Sequence, residues 1–157
     1  TATAMAVAGE QALKHWPTAV KVCLDPHTKA YGKWPLAIYW ASQNRRLGSV
    51  EALANWPTAL TVLKAGSPIV CSIRFDKDAL PGAPLQRTDG HLVVLYGVEF
   101  EGESGFALVM DPAAESHAEV ARRYPLEAFS QAWLGLRGGA YLFSPTQART
   151  ARVGEES

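Results

Sequence analysis

The sequence lacks an excess of charge of either sign, because its 15 Lys and Arg residues balance its 15 Asp and Glu residues. Its basic runs are short, as in the pairs Arg45-Arg46 and Arg122-Arg123. Proteins that bind the phosphate backbone of nucleic acids concentrate positive charge on one surface. We therefore expect no nucleic-acid partner.

Long hydrophobic runs are also missing. The longest strongly apolar run covers residues 92–98, whereas a helix needs about 20 apolar residues to cross a bilayer. We therefore expect no membrane span in this chain. The sequence opens with Thr1, and its first residues lack the basic flank and the cleavage pattern of a secretory signal peptide. Our interpretation is a processed or truncated product that has lost any targeting signal.

Cysteine is scarce, with Cys23 and Cys71 as the two examples. Two cysteines do not make a disulfide framework, and neither lies in a CxxC motif or beside clustered histidines, as metal ligands commonly do. We expect no metal and no cofactor. Each cysteine is interpreted as a small buried apolar residue.

The composition favours a folded protein. At 157 residues with 48% hydrophobic and 19% charged residues, the chain is large enough to bury one core. We predict one domain over residues 1–145 and a polar tail over residues 146–157, where no core-forming periodicity remains.

Helical patterns dominate the first part of the chain and strand patterns the second. Ala-rich composition, Pro and Gly boundaries and apolar spacing predict helices at residues 1–16, 35–44, 55–65 and 126–134. Short runs rich in Val, Ile, Leu, Phe and Tyr predict strands at residues 69–75, 92–100, 106–110 and 140–143. Residues 49–54 are ambiguous, and a strand is favoured there. The order predicts an α+β fold with a mainly antiparallel sheet.

His91 and Asp111 are the residues most suggestive of chemistry. His91 lies at the start of an apolar strand just after Gly90, and Asp111 follows the next predicted strand. The midpoint of the two positions falls at residue 101, beside a predicted turn at residues 101–104. A hairpin would therefore bring the imidazole and the carboxylate within about 2.6–3.2 Å of each other.

Such a pair has two interpretations. A general base needs its imidazole held in one tautomer, and a carboxylate bound to one ring nitrogen provides this. The alternative is that His91 is an ordinary histidine at a strand end and that Asp111 caps a turn before Pro112. Spacing alone does not decide between them.

Several segments resemble the C39-like cysteine peptidases, relatives of the peptidases that remove double-glycine leaders from bacteriocin precursors. The resemblance extends in the same order from Tyr31 to Pro145. Its segments are Tyr31-Gly32-Lys33-Trp34-Pro35, Lys64-Ala65-Gly66-Ser67-Pro68-Ile69-Val70, Leu80-Pro81-Gly82-Ala83-Pro84, Thr88-Asp89-Gly90-His91-Leu92-Val93-Val94, Met110-Asp111-Pro112-Ala113-Ala114, Arg122-Arg123-Tyr124-Pro125, Phe129, Ala132-Trp133-Leu134 and Gly138-Gly139.

This resemblance implies a papain-like fold and a catalytic site made of a cysteine, His91 and Asp111. The family's nucleophile stands in a short Cys-Gly-Pro or Cys-Ser-Pro segment before a helix similar to residues 1–16. We therefore expect the nucleophilic cysteine just upstream of Thr1, together with the family's oxyanion-stabilising glutamine, and we expect the chain as given to be inactive without them. Cys71 and Cys23 are the weaker alternatives for the nucleophile.

The implied substrate is a peptide or a protein, and the implied source is a bacterium that exports a stand-alone enzyme. Two rivals stay open. A papain-like module could bind peptides or a partner protein without cleaving them, which would follow if the residue upstream is not a cysteine. The same residues could also transfer an acyl group to an amine instead of water.

Overall fold

The computed structural model describes residues 17, 21, 24–27, 29 and 48–143. Within residues 48–143 the chain forms two helices, one short 3-10 turn and six strands. The helices are α1 (Trp56–Lys64) and α2 (Leu126–Trp133), and the 3-10 turn is His117–Glu119. The strands are β1 (Gly48–Ala52), β2 (Ile69–Phe75), β3 (Thr88–Glu101), β4 (Ser104–Met110), β5 (Ala121–Pro125) and β6 (Gly139–Phe143).

The strands form one sheet in the order β1-β6-β2-β3-β4-β5, and every neighbouring pair is antiparallel. The hairpin of β3 and β4 turns between Glu101 and Ser104. The last strand, β6, lies between β1 and β2. Strands that are neighbours in the sequence therefore form the four-stranded part from β2 to β5, and the long-range pairing of β6 with β1 and β2 completes the sheet.

Both helices pack on one face of the sheet, which we call the helix-covered face. Because successive strand residues point to opposite faces, each strand sends alternate side chains to this side. Its core contains Ile69, Cys71 and Ile73 of β2, together with Phe129 and Trp133 of α2. The opposite face holds a smaller cluster centred on Val70, Val94 and Phe143.

Aromatic rings hold α2 against the sheet. Phe129 lies with its ring centroid 6.2 Å from that of Tyr124 on β5, nearly parallel to it, and 5.9 Å from that of Trp133. Trp56 of α1 meets Trp133 edge-on at 5.8 Å. Its indole N–H also donates to the Ser130 hydroxyl at 2.7 Å. Offset and edge-on ring pairs of this kind contribute beyond the area that they bury.

The predicted α+β class is confirmed. The predicted helices at residues 55–65 and 126–134 correspond to α1 and α2, and the strand favoured at residues 49–54 corresponds to β1. Two predictions need correction, because β3 starts at Thr88 instead of Leu92, and β5 was not predicted as a strand. The predicted helices at residues 1–16 and 35–44 and the predicted tail at residues 146–157 lie outside the described residues.

Candidate active site

Strand β3 places His91 on the helix-covered face. His91 is the Cα partner of Ile73 on β2, and Val93 and Leu95, two and four residues further on, belong to the buried core. The His91 side chain is 15% exposed, so it lies at the border between core and solvent.

Asp111 follows β4 and is held by its own turn. Its residue is only 1% exposed. Its backbone N–H donates to the Val120 carbonyl at 2.8 Å, and the Ala113 N–H donates to its carboxylate Oδ1 at 2.9 Å. One hydrogen bond therefore holds the backbone of Asp111, and another holds its carboxylate.

The predicted contact between the two side chains is confirmed, since His91 Nε2 and Asp111 Oδ1 lie 2.7 Å apart. The hairpin explains this distance. Val94 pairs with Met110, so Asp111 comes opposite the part of β3 that contains His91. An ionised carboxylate only accepts hydrogen bonds, so the shared proton belongs to His91 Nε2. The other ring nitrogen, Nδ1, then faces away from Asp111.

Tyr124 is a third member of this cluster, and no role could be assigned to it from the sequence. It lies on β5 with 0% exposure, and its hydroxyl donates to Asp111 Oδ2 at 2.7 Å. No spacing rule connects positions 111 and 124, because the contact depends on β5 pairing with β4. A tyrosine beside two arginines, inside a strand that the sequence did not predict, carries little local signal.

The pKa of the Asp111 carboxyl reflects opposing effects. Burial by itself raises it, whereas the hydrogen bonds from His91, Tyr124 and Ala113 and the nearby His91 charge lower it and prevail. The pKa of Asp111 therefore lies below its ordinary range. The pKa of the Tyr124 hydroxyl is raised, first by burial and then by its hydrogen bond to Asp111. Asp111 is thus an ionised acceptor, and Tyr124 is a protonated donor.

Cys71 is unsuited to be a nucleophile. It lies in the middle of β2 with 0% exposure, and its Sγ is 3.6 Å from the Ile69 carbonyl. Burial raises the pKa of its thiol well above the ordinary value, despite a backbone contact with Leu95 that lowers it. The other alternative, Cys23, lies outside the described residues.

The sequence contains three further histidines. His27 and His117 are exposed, and His15 is outside the described residues. In the part of the chain that the structure describes, no group of three or more His, Cys, Asp or Glu side chains is arranged to hold a metal ion. No helix among the described residues is long and apolar enough to cross a membrane.

Comparison with known proteins agrees with the resemblance noted in the sequence. The family model described as "Peptidase_C39 like family" matches residues 2–141. A solved structure from Bacillus anthracis, described as a C39-like peptidase, is 21% identical with a TM-score of 0.48, and the match covers 69% of this chain and 57% of that chain. No curated protein matches.

The antiparallel sheet with helices on one face is consistent with the papain-like fold. Since the family model covers most of its length, the chain belongs to the Peptidase_C39 like family.

Proposed function

We propose that the protein is a cysteine peptidase in which His91 is the general base and Asp111 is the residue that orients it. The observation that carries this proposal is the 2.7 Å contact between His91 Nε2 and Asp111 Oδ1 in a member of a peptidase family. The contact leaves Nδ1 directed away from Asp111 and free to meet a thiol.

The nucleophile in this proposal is a cysteine encoded upstream of Thr1. Two arguments support it. The family resemblance favours a cysteine there, ahead of residues 1–16, whose composition predicts a helix, and Cys71 is buried with a raised thiol pKa. A thiol at a helix N-terminus beside an imidazole has a lowered pKa, because the helix dipole and the imidazolium both favour the thiolate.

The proposed reaction proceeds through a covalent acyl-enzyme. The thiol gives its proton to His91 Nδ1, and the thiolate attacks the carbonyl carbon of the scissile peptide bond. The tetrahedral intermediate collapses as the C–N bond breaks, and the imidazolium protonates the leaving amine. Water then attacks the thioester with His91 as the base, which releases the carboxylic acid and restores the thiol. Asp111 stabilises the imidazolium at both stages.

The test uses the product of the complete open reading frame, in which the residues before Thr1 are known. We expect a cysteine there that reacts with iodoacetamide at a pH below the ordinary thiol pKa. We also expect His91→Ala to lower peptide hydrolysis by about 100-fold or more, because general-base catalysis contributes a factor of this size. Hydrolysis is measured on a mixture of peptides by mass spectrometry.

The control variant is His117→Ala, which removes an exposed histidine from the 3-10 turn and should leave hydrolysis unchanged. Retention of hydrolysis by His91→Ala, or a residue other than cysteine at the proposed position, would refute the proposal. Adding an amine nucleophile to the assay distinguishes hydrolysis from transfer, since a transferase would yield the amide in preference to the acid.

A further inference from the structure

The carboxylate of Asp111 has two oxygens with different partners. Oδ1 lies 2.7 Å from His91 Nε2 and accepts from the Ala113 N–H at 2.9 Å. Oδ2 accepts from the Tyr124 hydroxyl at 2.7 Å. If Oδ2 had no donor, only the two contacts at Oδ1 would oppose rotation of the carboxylate about its Cβ–Cγ bond. The Tyr124 hydroxyl on Oδ2 therefore restricts the orientation in which the carboxylate faces His91.

We propose that Tyr124 is a positioning residue for the reaction, which holds the Asp111 carboxylate in the orientation that presents Oδ1 to His91. The assignment rests on the proposed function, since positioning for catalysis requires that His91 is the base. Tyr124 acts through Asp111 and has no contact with the reacting atoms in this proposal.

The surroundings of Tyr124 suit a fixed donor. Its residue is 0% exposed, so no water competes for its hydroxyl. Its ring lies nearly parallel to that of Phe129 on α2, with centroids 6.2 Å apart, and its backbone is paired to Ala107 on β4. The position of the hydroxyl is therefore fixed by the pairing of β5 with β4 and by the packing of the ring against α2. Helix α2 is thereby connected to His91 through Phe129, Tyr124 and Asp111.

The phenol can only donate in this position. Burial and the hydrogen bond to Asp111 raise the pKa of Tyr124, so the hydroxyl keeps its proton while His91 and the thiol exchange theirs. The negative charge of the carboxylate is stabilised by two hydrogen bonds, one from the neutral Tyr124 hydroxyl and one from His91. A stronger donor at Oδ2 should weaken the basicity of Asp111 toward His91, and a missing donor should increase it.

The first test needs no nucleophile and is done on this chain. The Asp111 carboxyl carbon and the His91 Nε2–H proton are followed by NMR as functions of pH in three proteins. These are the wild type, Tyr124→Phe, and a protein with difluorotyrosine placed at position 124, whose phenol is more acidic but nearly the same shape. We expect the pKa of Asp111 to rise in Tyr124→Phe and to fall with difluorotyrosine, and we expect the His91 Nε2–H resonance to move in opposite directions in the two.

Tyr141→Phe is the matched control, because it removes a hydroxyl from a partly buried tyrosine in the cluster on the opposite face of the sheet. It should leave both signals unchanged. The difluorotyrosine protein keeps the test decisive if Tyr124→Phe fails to fold. Signals at Asp111 and His91 that match the wild type in either altered protein, with only thermal stability reduced, would show a merely structural tyrosine and would overturn the proposal.

The second test measures catalysis by the full-length protein. We expect Tyr124→Phe to lower kcat by about 10- to 100-fold, the range found when the hydrogen-bond partner behind a functional side chain is removed. KM should change by less than about twofold, because Tyr124 makes no contact with substrate in the transition state or the ground state. An unchanged kcat beside a shifted Asp111 titration would also overturn the positioning role.

The two tests separate failure of this proposal from failure of the proposed function. If the wild-type protein cleaves no peptide and has no reactive thiol, the peptidase proposal fails, and the NMR titration still reports whether Tyr124 controls Asp111 and His91. If the wild type is active and Tyr124→Phe matches it in kcat and in both NMR signals, the function stands and the role of Tyr124 is rejected.

Discussion

Asp111 is a charged side chain that is almost completely removed from solvent, and its ionised form depends on its donors. Burying a carboxylate without partners would cost several kcal/mol. Hydrogen bonds from His91, Tyr124 and Ala113 offset that cost, and the net result is a lowered pKa of the Asp111 carboxyl. The site is therefore also a contributor to folding stability, and this contribution depends on pH.

The first prediction concerns that pH dependence. A carboxyl whose pKa is lower in the folded state than in the unfolded state stabilises the fold above the unfolded pKa, which is about 3.9 for aspartate. The stabilisation is lost as pH falls below that value through the lowered folded pKa. We expect Asp111→Asn to lower the free energy of unfolding at pH 7 by about 2–3 kcal/mol, since hydrogen bonds to a charged group are broken. The difference from wild type should shrink below pH 4.

Urea unfolding at several pH values measures this effect. The control is Asp89→Asn, because the Asp89 side chain is 83% exposed and its ion pairs with Arg74 and Arg87 are 3.8 and 4.0 Å long. Exposed pairs contribute little, so this variant should follow the wild type at every pH. A difference between Asp111→Asn and wild type that stays constant from pH 7 to pH 3 would contradict the prediction.

At the residue scale, the sequence was sufficient for part of the site. The contact between His91 and Asp111 could be predicted because both residues belong to one hairpin, in which pairing follows from distance along the chain. Their catalytic roles stay predictions. Tyr124 could not be identified in this way, because its hydroxyl reaches Asp111 only after a separate strand has paired beside β4.

Among the elements, the turn between α2 and β6 has the strictest steric requirement. Gly138 has φ +60°, and a Cβ atom there would lie 1.9 Å from the Leu53 carbonyl oxygen. Its own carbonyl accepts from the Leu53 N–H at 2.9 Å, and its N–H donates to the Trp133 carbonyl at 3.0 Å. The turn thereby connects the end of α2 to the chain just after β1, so that β6 can enter the sheet.

The second prediction is that Gly138→Ala is strongly destabilising. A left-handed backbone costs an L-residue roughly 1–2 kcal/mol. The overlap with the Leu53 carbonyl adds to this, because moving the Leu53 backbone would strain the hydrogen bond from the Leu53 N–H to the Gly138 carbonyl. We expect the free energy of unfolding to fall by more than about 3 kcal/mol, in the range of the largest single-residue effects. Urea unfolding monitored by tryptophan fluorescence provides the measurement.

Gly66→Ala is the matched variant. Gly66 has φ +79°, and a Cβ atom there would meet nothing within 4 Å, so only the backbone penalty of roughly 1–2 kcal/mol applies. Equal losses of stability in Gly138→Ala and Gly66→Ala would show that the short distance between a Cβ atom at position 138 and the Leu53 carbonyl does not affect stability.

Local patterns predicted most of the elements and missed one. Strand β2 shows an apolar run that ends in charged and turn-forming residues, and its predicted bounds agree with the structure. Strand β5 has the sequence Ala121-Arg122-Arg123-Tyr124-Pro125, whose two charges and terminal proline do not resemble a core strand. It is at the edge of the sheet, where proline and charged residues are tolerated. Its strand structure is set by its neighbour β4.

For the whole molecule, the order of strands determines which part opens last. Strands β2 and β3 each lie between two other strands, whereas β1 and β5 are at the two edges of the described sheet. The side chains of Ile69, Ile73 and Val93 in the two central strands are 0% exposed. Exposing their amides therefore requires the sheet to separate and the core to open.

The third prediction is that amide hydrogen exchange follows this order. We expect the amides of β2 and β3 to exchange slowest, with free energies of opening close to that of global unfolding, and the amides of β1 and β5 to exchange faster. Exchange followed by NMR or by mass spectrometry of peptic fragments tests it. Protection of the two edge strands equal to that of β2 and β3 would contradict it.

The sequence by itself determined the class of fold, most of the helices and strands within the described residues, and the pairing of His91 with Asp111. These depend on hydrophobic periodicity, on glycine and proline boundaries, and on the register of one hairpin, all of which act over short distances along the chain. Only the tertiary structure decided that β6 lies between β1 and β2 and that the Tyr124 hydroxyl reaches Asp111 Oδ2. The physical reason is that segments far apart in the chain pair because their apolar faces are buried together against α2, and no local pattern of residues encodes which buried surfaces will meet.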